Sequence, residues 1–398
     1  MKLYLAPMEG VTGYVFRGAY HRHYGKMDRY FSPFISHPRL SGREIRDVYP
    51  ENNKGMNLVP QILAGRASDF LSIAKILGDL GYNEVNLNLG CPSGTVIKKK
   101  RGAGMLSDSE YLESFLTEIY EKCPLKISIK TRLGMNDPEE WTKIQEIYNK
   151  FPIAELIVHP RVRADMYKLP VRTEWFSNAL ENARVDVSDN MRGKEPARKT
   201  RQKEELAAAG VTGNTASGIL SGTAGDAPSG ALSSAINLIY PIVYNGDICT
   251  AKDFAGIVKS FEGISAVMIG RGIIRNPELA EEIRKVQRNA GAIDGGAGDT
   301  RAGGMAVRGR EIGDTKSCDG EAGEDCHIRD LKRFSEFHED LLENYIIEMG
   351  GENNALFKMK EFWYYAATSF PGRNKEMKEL KKSRSVQEYR LAVSRLIR

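Results

Sequence analysis

Short apolar runs alternate with amphipathic stretches along the first two-thirds of the chain. Eight runs read as strands: residues 3–8, 30–34, 58–64, 84–90, 126–133, 155–161, 241–247 and 265–271. Between most of them, apolar residues recur at helical spacing, as in residues 67–81 and 107–123. The second of these opens on Ser107 and Asp108 as caps, with Glu110 at capping-box distance from Ser107. Strands alternating with helices predict a parallel sheet. Eight such units within roughly 290 residues predict a closed (β/α)8 barrel of the TIM type. Most of the runs end in a polar or otherwise distinctive residue: Met8, Gln61, Asn88 followed by Cys91, Lys130, His159, Asn245 and Arg271. In a barrel those ends converge on one face, where active sites are built.

Two segments break the rhythm. Residues 182–233 and 289–325 are rich in Gly, Ala, Ser, Thr and charge and poor in aromatics. Such composition buries too little apolar surface to offset ordering entropy, so both are expected to be flexible insertions, with a short helix predicted within 200–210 of the first. From His327 onward the pattern is purely helical. From Ala355 to the end stand 11 Lys or Arg against 4 Glu. The expected organisation is therefore a barrel over 1–288 that carries the 182–233 insertion, a Gly-rich linker over 289–326, and a basic helical domain over 327–398.

Bulk composition adds limits. The 398 residues are 41% hydrophobic, enough for a sizeable core, and the net charge of +5 is a mild excess. The five cysteines are scattered with no C-x-x-C, which argues against a disulfide framework or a zinc site and points to a reducing cytosol. The N-terminus reads as a first strand rather than a signal peptide, and no apolar run reaches the roughly 18 residues of a membrane span.

The chemistry-bearing residues lie at the strand ends. Cys91 stands between Gly90 and Pro92, shortly before Lys98, Lys99, Lys100 and Arg101. A free Cys is commonly a small buried hydrophobe; this setting favours a catalytic thiol. Gly270, Arg271 and Gly272 make a strand-to-helix turn, and Asn245 and Gly246 follow the preceding strand. Together they match the phosphate site that barrels form after strands seven and eight. There is no dinucleotide fingerprint or P-loop at a strand–helix junction, so a phosphate ligand would be held barrel-style. Lys130 and His159 close the fifth and sixth strands. A Lys there suits the electron-rich edge of a reduced flavin, and Gln61 can both donate to and accept from a flavin's imide edge.

In combination, residues 5–12 (LAPMEGVT), 86–96 (NLNLGCPSGTV), 102–106 (GAGML), 128–134 (SIKTRLG), 158–161 (VHPR), 244–248 (YNGDI) and 268–272 (MIGRG) strongly resemble the tRNA-dihydrouridine synthase family. The resemblance covers residues 1–181 and 234–288, and extends loosely to 355–365. It implies a barrel that holds FMN non-covalently and uses NADPH to reduce uridine in tRNA, with no metal. Carried over by position, Pro7, Met8, Glu9, Gln61, Lys130, His159, Asn245, Gly246, Asp247, Gly270 and Arg271 would contact FMN. Cys91 would be the proton donor, and Asn88 and Arg132 would lie on the uracil side. Lys98, Lys99, Lys358 and Lys360 are expected to face the RNA backbone, and Phe362, Trp363 and Tyr364 to pack mostly inside the helices. The loop after His159, RADMYKLPVRTEW, and the two insertions depart from the family pattern. An FMN barrel acting on a free pyrimidine, or an RNA-binding protein on an inactive barrel, are the competing readings.

Overall fold

The computed structural model describes residues 1–183, 239–294 and 328–398, with the side chains of 290–294 excepted. The two predicted insertions, the helix within 200–210, Cys318 and Cys326 fall outside these residues or nearly so. All eight strand runs form strands, in nine segments: β1 (Lys2–Leu5), β2 (Arg29–Phe31), β3 (Leu58–Val59), β4 (Gln61–Ile62), β5 (Glu84–Leu89), β6 (Lys126–Arg132), β7 (Leu156–His159), β8 (Ile242–Tyr244) and β9 (Ala266–Ile269). The order is β3-β2-β1-β9-β8-β7-β6-β5-β4 and every pairing is parallel.

The ninth segment has a simple cause. β3 and β4 are halves of one strand split at Pro60, which has no N–H to give to the ladder. β3 pairs with β2 and β4 with β5, so the ring closes through Pro60. A bridge stiffens the seam: Ile35 N–H donates to Gln61 C=O at 2.8 Å and Leu63 N–H to Ile35 C=O at 2.8 Å. The result is the expected eight-unit (β/α)8 barrel.

Register carries the strand-end chemistry to one level. Side chains alternate faces along a strand. Asn86 pairs with Ser128, Asn88 with Lys130, and Arg132 with His159, so these residues share the inner face and rise in layers toward the C-terminal mouth. At the opposite end, Tyr4 Oη donates to Glu155 at 2.8 Å and Arg29 bridges Glu84 and Glu155 at 2.9 and 3.4 Å. Helix Ser109–Lys122 is capped by Asp108, whose carboxylate accepts from Tyr111 N–H at 3.1 Å. Ser107 instead donates to the Gly104 carbonyl at 2.9 Å, so the predicted Ser107–Glu110 box does not form. Among the described residues Cys91 and Cys123 are free thiols.

The C-terminal helices, Leu331–Met349, Glu352–Ala366, Asn374–Lys382 and Val386–Ile397, form one unit with the barrel. The helix that precedes them, Leu279–Asp294, runs past the expected boundary at 288. Phe337 packs edge-on against Phe16 and Tyr24 at 6.0 and 5.3 Å, and Arg333 grips Glu281 through two bonds of 2.7 and 3.0 Å. Phe362 and Trp363 are buried as expected, whereas Tyr364 is 73% exposed. That is a correction: the residue falls on the outer face of its helix.

Within this bundle, His338, Trp363 and Tyr389 form a buried polar knot. His338 Nε2 lies 2.7 Å from Tyr389 Oη, and Trp363 Nε1 donates to that hydroxyl at 2.7 Å. Burial pushes the His338 imidazole down to about 3, with Arg390 adding to the effect. The unfolded chain therefore takes up a proton below its ordinary value of about 6.5, which the fold refuses. This contribution is complete above pH 6.5 and is lost as pH falls from there toward 3. Urea unfolding should show stability falling by about 2–3 kcal/mol between pH 7 and pH 4.5, at ~1.4 kcal/mol per unit. In His338→Phe that part of the pH dependence should vanish. An equal slope in both proteins would rule His338 out as its source.

Candidate active site

Each strand end is fixed by local chemistry. Asn88, at the top of β5, uses its Oδ1 to accept from the backbone N–H groups of Gly90 (3.0 Å) and Cys91 (2.9 Å). Its Nδ2 donates to Gln61 Oε1 at 2.7 Å. Asn88 thus sits behind the Cys91 loop and orients it, with one Nδ2 hydrogen left over. Gln61 Nε2 donates to Asn86 at 2.8 Å, and Asn86 to Ser128 at 3.1 Å. This amide relay spans three strands and holds Gln61 with one N–H and one lone pair still available.

The Gly-Ala-Gly turn lies directly under Cys91. Ala103 N–H donates to the Cys91 carbonyl at 3.2 Å. Gly102 has φ +55°, and a Cβ there would meet Cys91 Cβ and O and Val96 Cγ1, each at 3.0 Å. Only glycine lets the two backbones approach so closely. The Cys91 thiol is half-buried. Burial pushes its pKa up, and this outweighs the opposing pull of Arg132 and Lys130. It is a protonated thiol at neutral pH, suited to giving a proton rather than attacking as thiolate.

Beside this loop, β6 to β9 bring cations together. Burial and the neighbouring Arg132 push Lys130 down to about 7. Arg132 is buried. Its Nε donates to the Gly90 carbonyl at 2.9 Å and its Nη1 to the Val162 and Met166 carbonyls at 3.0 Å. His159 is held far below its ordinary value by burial and then by Arg132, Lys130, Arg161 and Arg271. Asp247 is the counter-charge: Arg161 grips it at 2.6 and 3.1 Å and Arg271 at 2.6 Å. Burial alone would raise the Asp247 carboxyl, but the two guanidiniums bring it net below its ordinary value. Asp247, with Asp165 acting on Arg132, faces Lys130, Arg132, Arg161 and Arg271, so cations outnumber carboxylates in a mouth of mostly buried side chains. Such a set is built for an anionic ligand.

The loops after β8 and β9 approach closely, as a phosphate turn requires. A Cβ on Gly272 would collide with the Ile248 carbonyl, and one on Gly246 with the Tyr244 ring. Asn245 Nδ2 donates to the Met268 carbonyl at 2.9 Å and locks the two loops. Met8 lies over Gly270, where an added Cβ would sit 3.2 Å from its sulfur, and Pro7 is half-buried beside it. Glu9 faces outward and pairs with Arg43 at 2.6 Å.

The structure brings Gln61, Asn88, Cys91, Lys130, Arg132, His159, Asn245, Asp247, Gly270 and Arg271 to one mouth. It uses the outer lysines differently. Lys358 bonds the Gly10 carbonyl (3.1 Å) and Glu361 (2.6 Å), and Lys360 bonds the Ser383 carbonyl (2.7 Å). Both are internal ties. Lys98 and Lys99 are exposed, while Lys100 pairs with Asp108 at 3.6 Å and Arg101 with Asp69 at 3.9 Å. Two residues escaped the sequence reading. Arg161, fully buried, is the fixed partner of Asp247; its place two residues after His159 was the available signal. Tyr167 stacks on His159 at 6.0 Å and lies under Arg132 and Arg271 at 5.1 and 4.9 Å. It lies in the atypical loop, and nothing in the sequence pattern marked it.

A closed parallel barrel with a half-buried free thiol and a cationic, glycine-lined mouth defines an enzyme of the (β/α)8 class. The dihydrouridine synthase (Dus) family model matches residues 4–212 and 230–293. The chain belongs to the dihydrouridine synthase family. Among similar curated proteins, tRNA-dihydrouridine(16) synthase of Neisseria meningitidis is 24% identical over 302 residues, 73% of each chain. A probable tRNA-dihydrouridine synthase of Staphylococcus aureus is 29% identical over 284 residues, 70% of each chain. A solved structure of morphinone reductase aligns with TM-score 0.42 at 12% identity, over 72% of this chain and 86% of that one, too loosely to bear on function. Among the described residues no helix is long and apolar enough to cross a membrane, and no cluster is placed to hold a metal.

Proposed function

We propose that this enzyme reduces the C5–C6 bond of specific uridines in tRNA to dihydrouridine, with FMN as resident cofactor and NADPH as reductant. The observation that carries the reading is the half-buried Cys91, held by Asn88 and the Gly102 turn beside a cation-rich mouth. The mouth's residues fit FMN. The buried Arg132 guanidinium and its neighbouring cations suit an anionic group, the close turns at Gly246 and Gly272 suit a phosphate, and Gln61 retains a donor and an acceptor. Arg271, Asn245 and the 270–272 turn would hold the phosphate, and Lys130 and Gln61 the ring system. When bound and reduced, FMN supplies the hydride that uracil C6 must gain.

The chain supplies the rest. Cys91 gives its proton to C5 as general acid and is left as thiolate, which regains a proton from solvent because the residue is only half-buried. Lys130, with Arg132 behind it, steadies negative charge that builds as electrons enter the mouth. Asn88 acts on Cys91 through the loop. The uridine must leave the RNA stack to arrive there, as substrates of base-modifying enzymes do.

For RNA, one group of unpaired cations lies on the helix Asn374–Lys382. Met377 and Leu380 face inward, while Lys375, Lys378, Lys381, Lys382 and the following Arg384 are exposed, their side chains without ion-pair partners among the described residues. With Lys98 and Lys99 they would offer charge to RNA phosphates.

Arg271→Ala should weaken FMN retention about ten- to a hundredfold, the worth of a charge-assisted phosphate bond. The flavin-to-protein absorbance ratio after gel filtration reads this. Retention equal to wild type would remove Arg271 from the cofactor site.

A further inference from the structure

An open recess of about 440 Å³ lies where the loop after β1 meets the outer face of the bundle helix Glu352–Ala366. Glu9 and Val11 line one side of it, and Phe357, Lys360, Glu361 and Tyr364 the other. Phe357 is 65% and Tyr364 73% exposed, the two most exposed aromatic rings among the described residues. They stand seven residues apart, about two helical turns, and so share one face. Tyr365 meets the Tyr364 ring edge-on at 5.1 Å. The same helix buries Phe362 and Trp363 in the bundle. Folding gains nothing from two further rings left in water, and such a patch marks a binding surface.

Charge and position say what it binds. Glu9 is matched by Arg43 at 2.6 Å and Glu361 by Lys358 at 2.6 Å. Lys360 bonds the Ser383 carbonyl at 2.7 Å and has no carboxylate partner among the described residues, so the recess is net positive. That bond also sets Lys360 against the turn that follows the basic helix, beside the exposed Lys381, Lys382 and Arg384. The other end of the recess reaches the thiol. Burial is the main cause that raises the Cys91 thiol, and Glu9 is near enough to add to it. Aromatic faces and surplus cations along one course are the chemistry of a single-stranded nucleic acid. A uridine that leaves the stack to reach Cys91 also leaves its neighbours in the strand without a stacking partner. Rings beside the mouth offset that loss.

We propose that Phe357 and Tyr364, facing the loop at residues 9–11, form a stacking shelf for unpaired tRNA bases next to the uridine that is reduced. The shelf rests on the tRNA reading above and deepens it, by naming an uncharged part of the RNA contact.

The test measures binding of an unmodified tRNA transcript to the full-length holoenzyme by filter binding across a salt series. Phe357→Ala and Tyr364→Ala should each weaken binding about tenfold, the worth of a stacked base. The slope of affinity against salt should keep its wild-type value, since a ring releases no counterions. Tyr364→Phe, which keeps the ring, should bind like wild type. Both side chains are exposed, and thermal melts confirm that the variants fold. An unchanged affinity in either alanine variant would overturn the shelf while leaving tRNA reduction standing. Weaker binding with a flattened slope would assign this face to phosphate contacts and overturn it. A wild-type dimer that the alanine variants break, seen by sedimentation, would assign the face to a second copy of the chain and overturn it as well. Failure of the wild-type enzyme to reduce any tRNA would overturn the tRNA reading and the shelf with it.

Discussion

Replacing Cys91 with alanine should slow reduction of tRNA by the pre-reduced enzyme by roughly 10²- to 10⁴-fold, the usual worth of a positioned general acid. FMN binding and its reduction by NADPH should stay close to wild type, because neither needs the thiol. Cys91→Ser should be similarly impaired, since an alcohol is a far weaker acid. The free Cys123 lies outside the mouth, at the C-cap of the helix Ser109–Lys122, and Cys123→Ala should change little. Stopped-flow flavin absorbance, with tRNA added after reduction, separates the two half-reactions. Reoxidation of Cys91→Ala by tRNA at the wild-type rate would mean that the proton comes from elsewhere.

The second large effect is expected from the helix Asn374–Lys382. Changing Lys375, Lys378, Lys381 and Lys382 together to alanine should weaken tRNA binding by roughly 10²-fold at moderate salt and flatten its salt dependence by about one logarithmic slope unit per lost phosphate contact. Flavin reduction should be unaffected. Filter binding across a salt series reads both quantities. Lys358→Ala should leave the salt slope nearly unchanged, because that ammonium is bound to Gly10 and Glu361. An unaltered slope in the four-lysine variant would move the RNA interface to another face.

The contrast between these lysines shows where sequence reading stops. Composition revealed the basic excess after Ala355, but which charges are free depends on tertiary neighbours. Lys360 and Lys375 look alike in sequence; one is tied to the Ser383 carbonyl and the other meets solvent. The barrel was legible because buried parallel strands need continuous apolar runs, and eight such runs were present. Its split strand followed from Pro60, whose effect on the ladder is local. Cys91, Lys130, His159 and Arg271 were legible because strand ends converge by topology alone. Asn88 was expected on the substrate side; its Oδ1 also caps the Cys91 loop, a role that depends on loop geometry. Arg161 and Tyr167 were missed for the same reason, as their partners Asp247 and Arg271 come from strands about 80 residues away or more. Tyr364 was grouped with Phe362 and Trp363 as interior; helical rotation turns it outward.

The account's central claim is that a uridine in tRNA gains two hydrogens at this barrel's mouth. The most direct measurement is mass spectrometry of nucleosides digested from an unmodified tRNA transcript after incubation with the purified holoenzyme and NADPH. The account predicts dihydrouridine that requires NADPH, appears at defined uridines, and falls sharply with Cys91→Ala. NADPH consumption with no dihydrouridine in any tRNA, or reduction of free uracil in preference to tRNA, would contradict it.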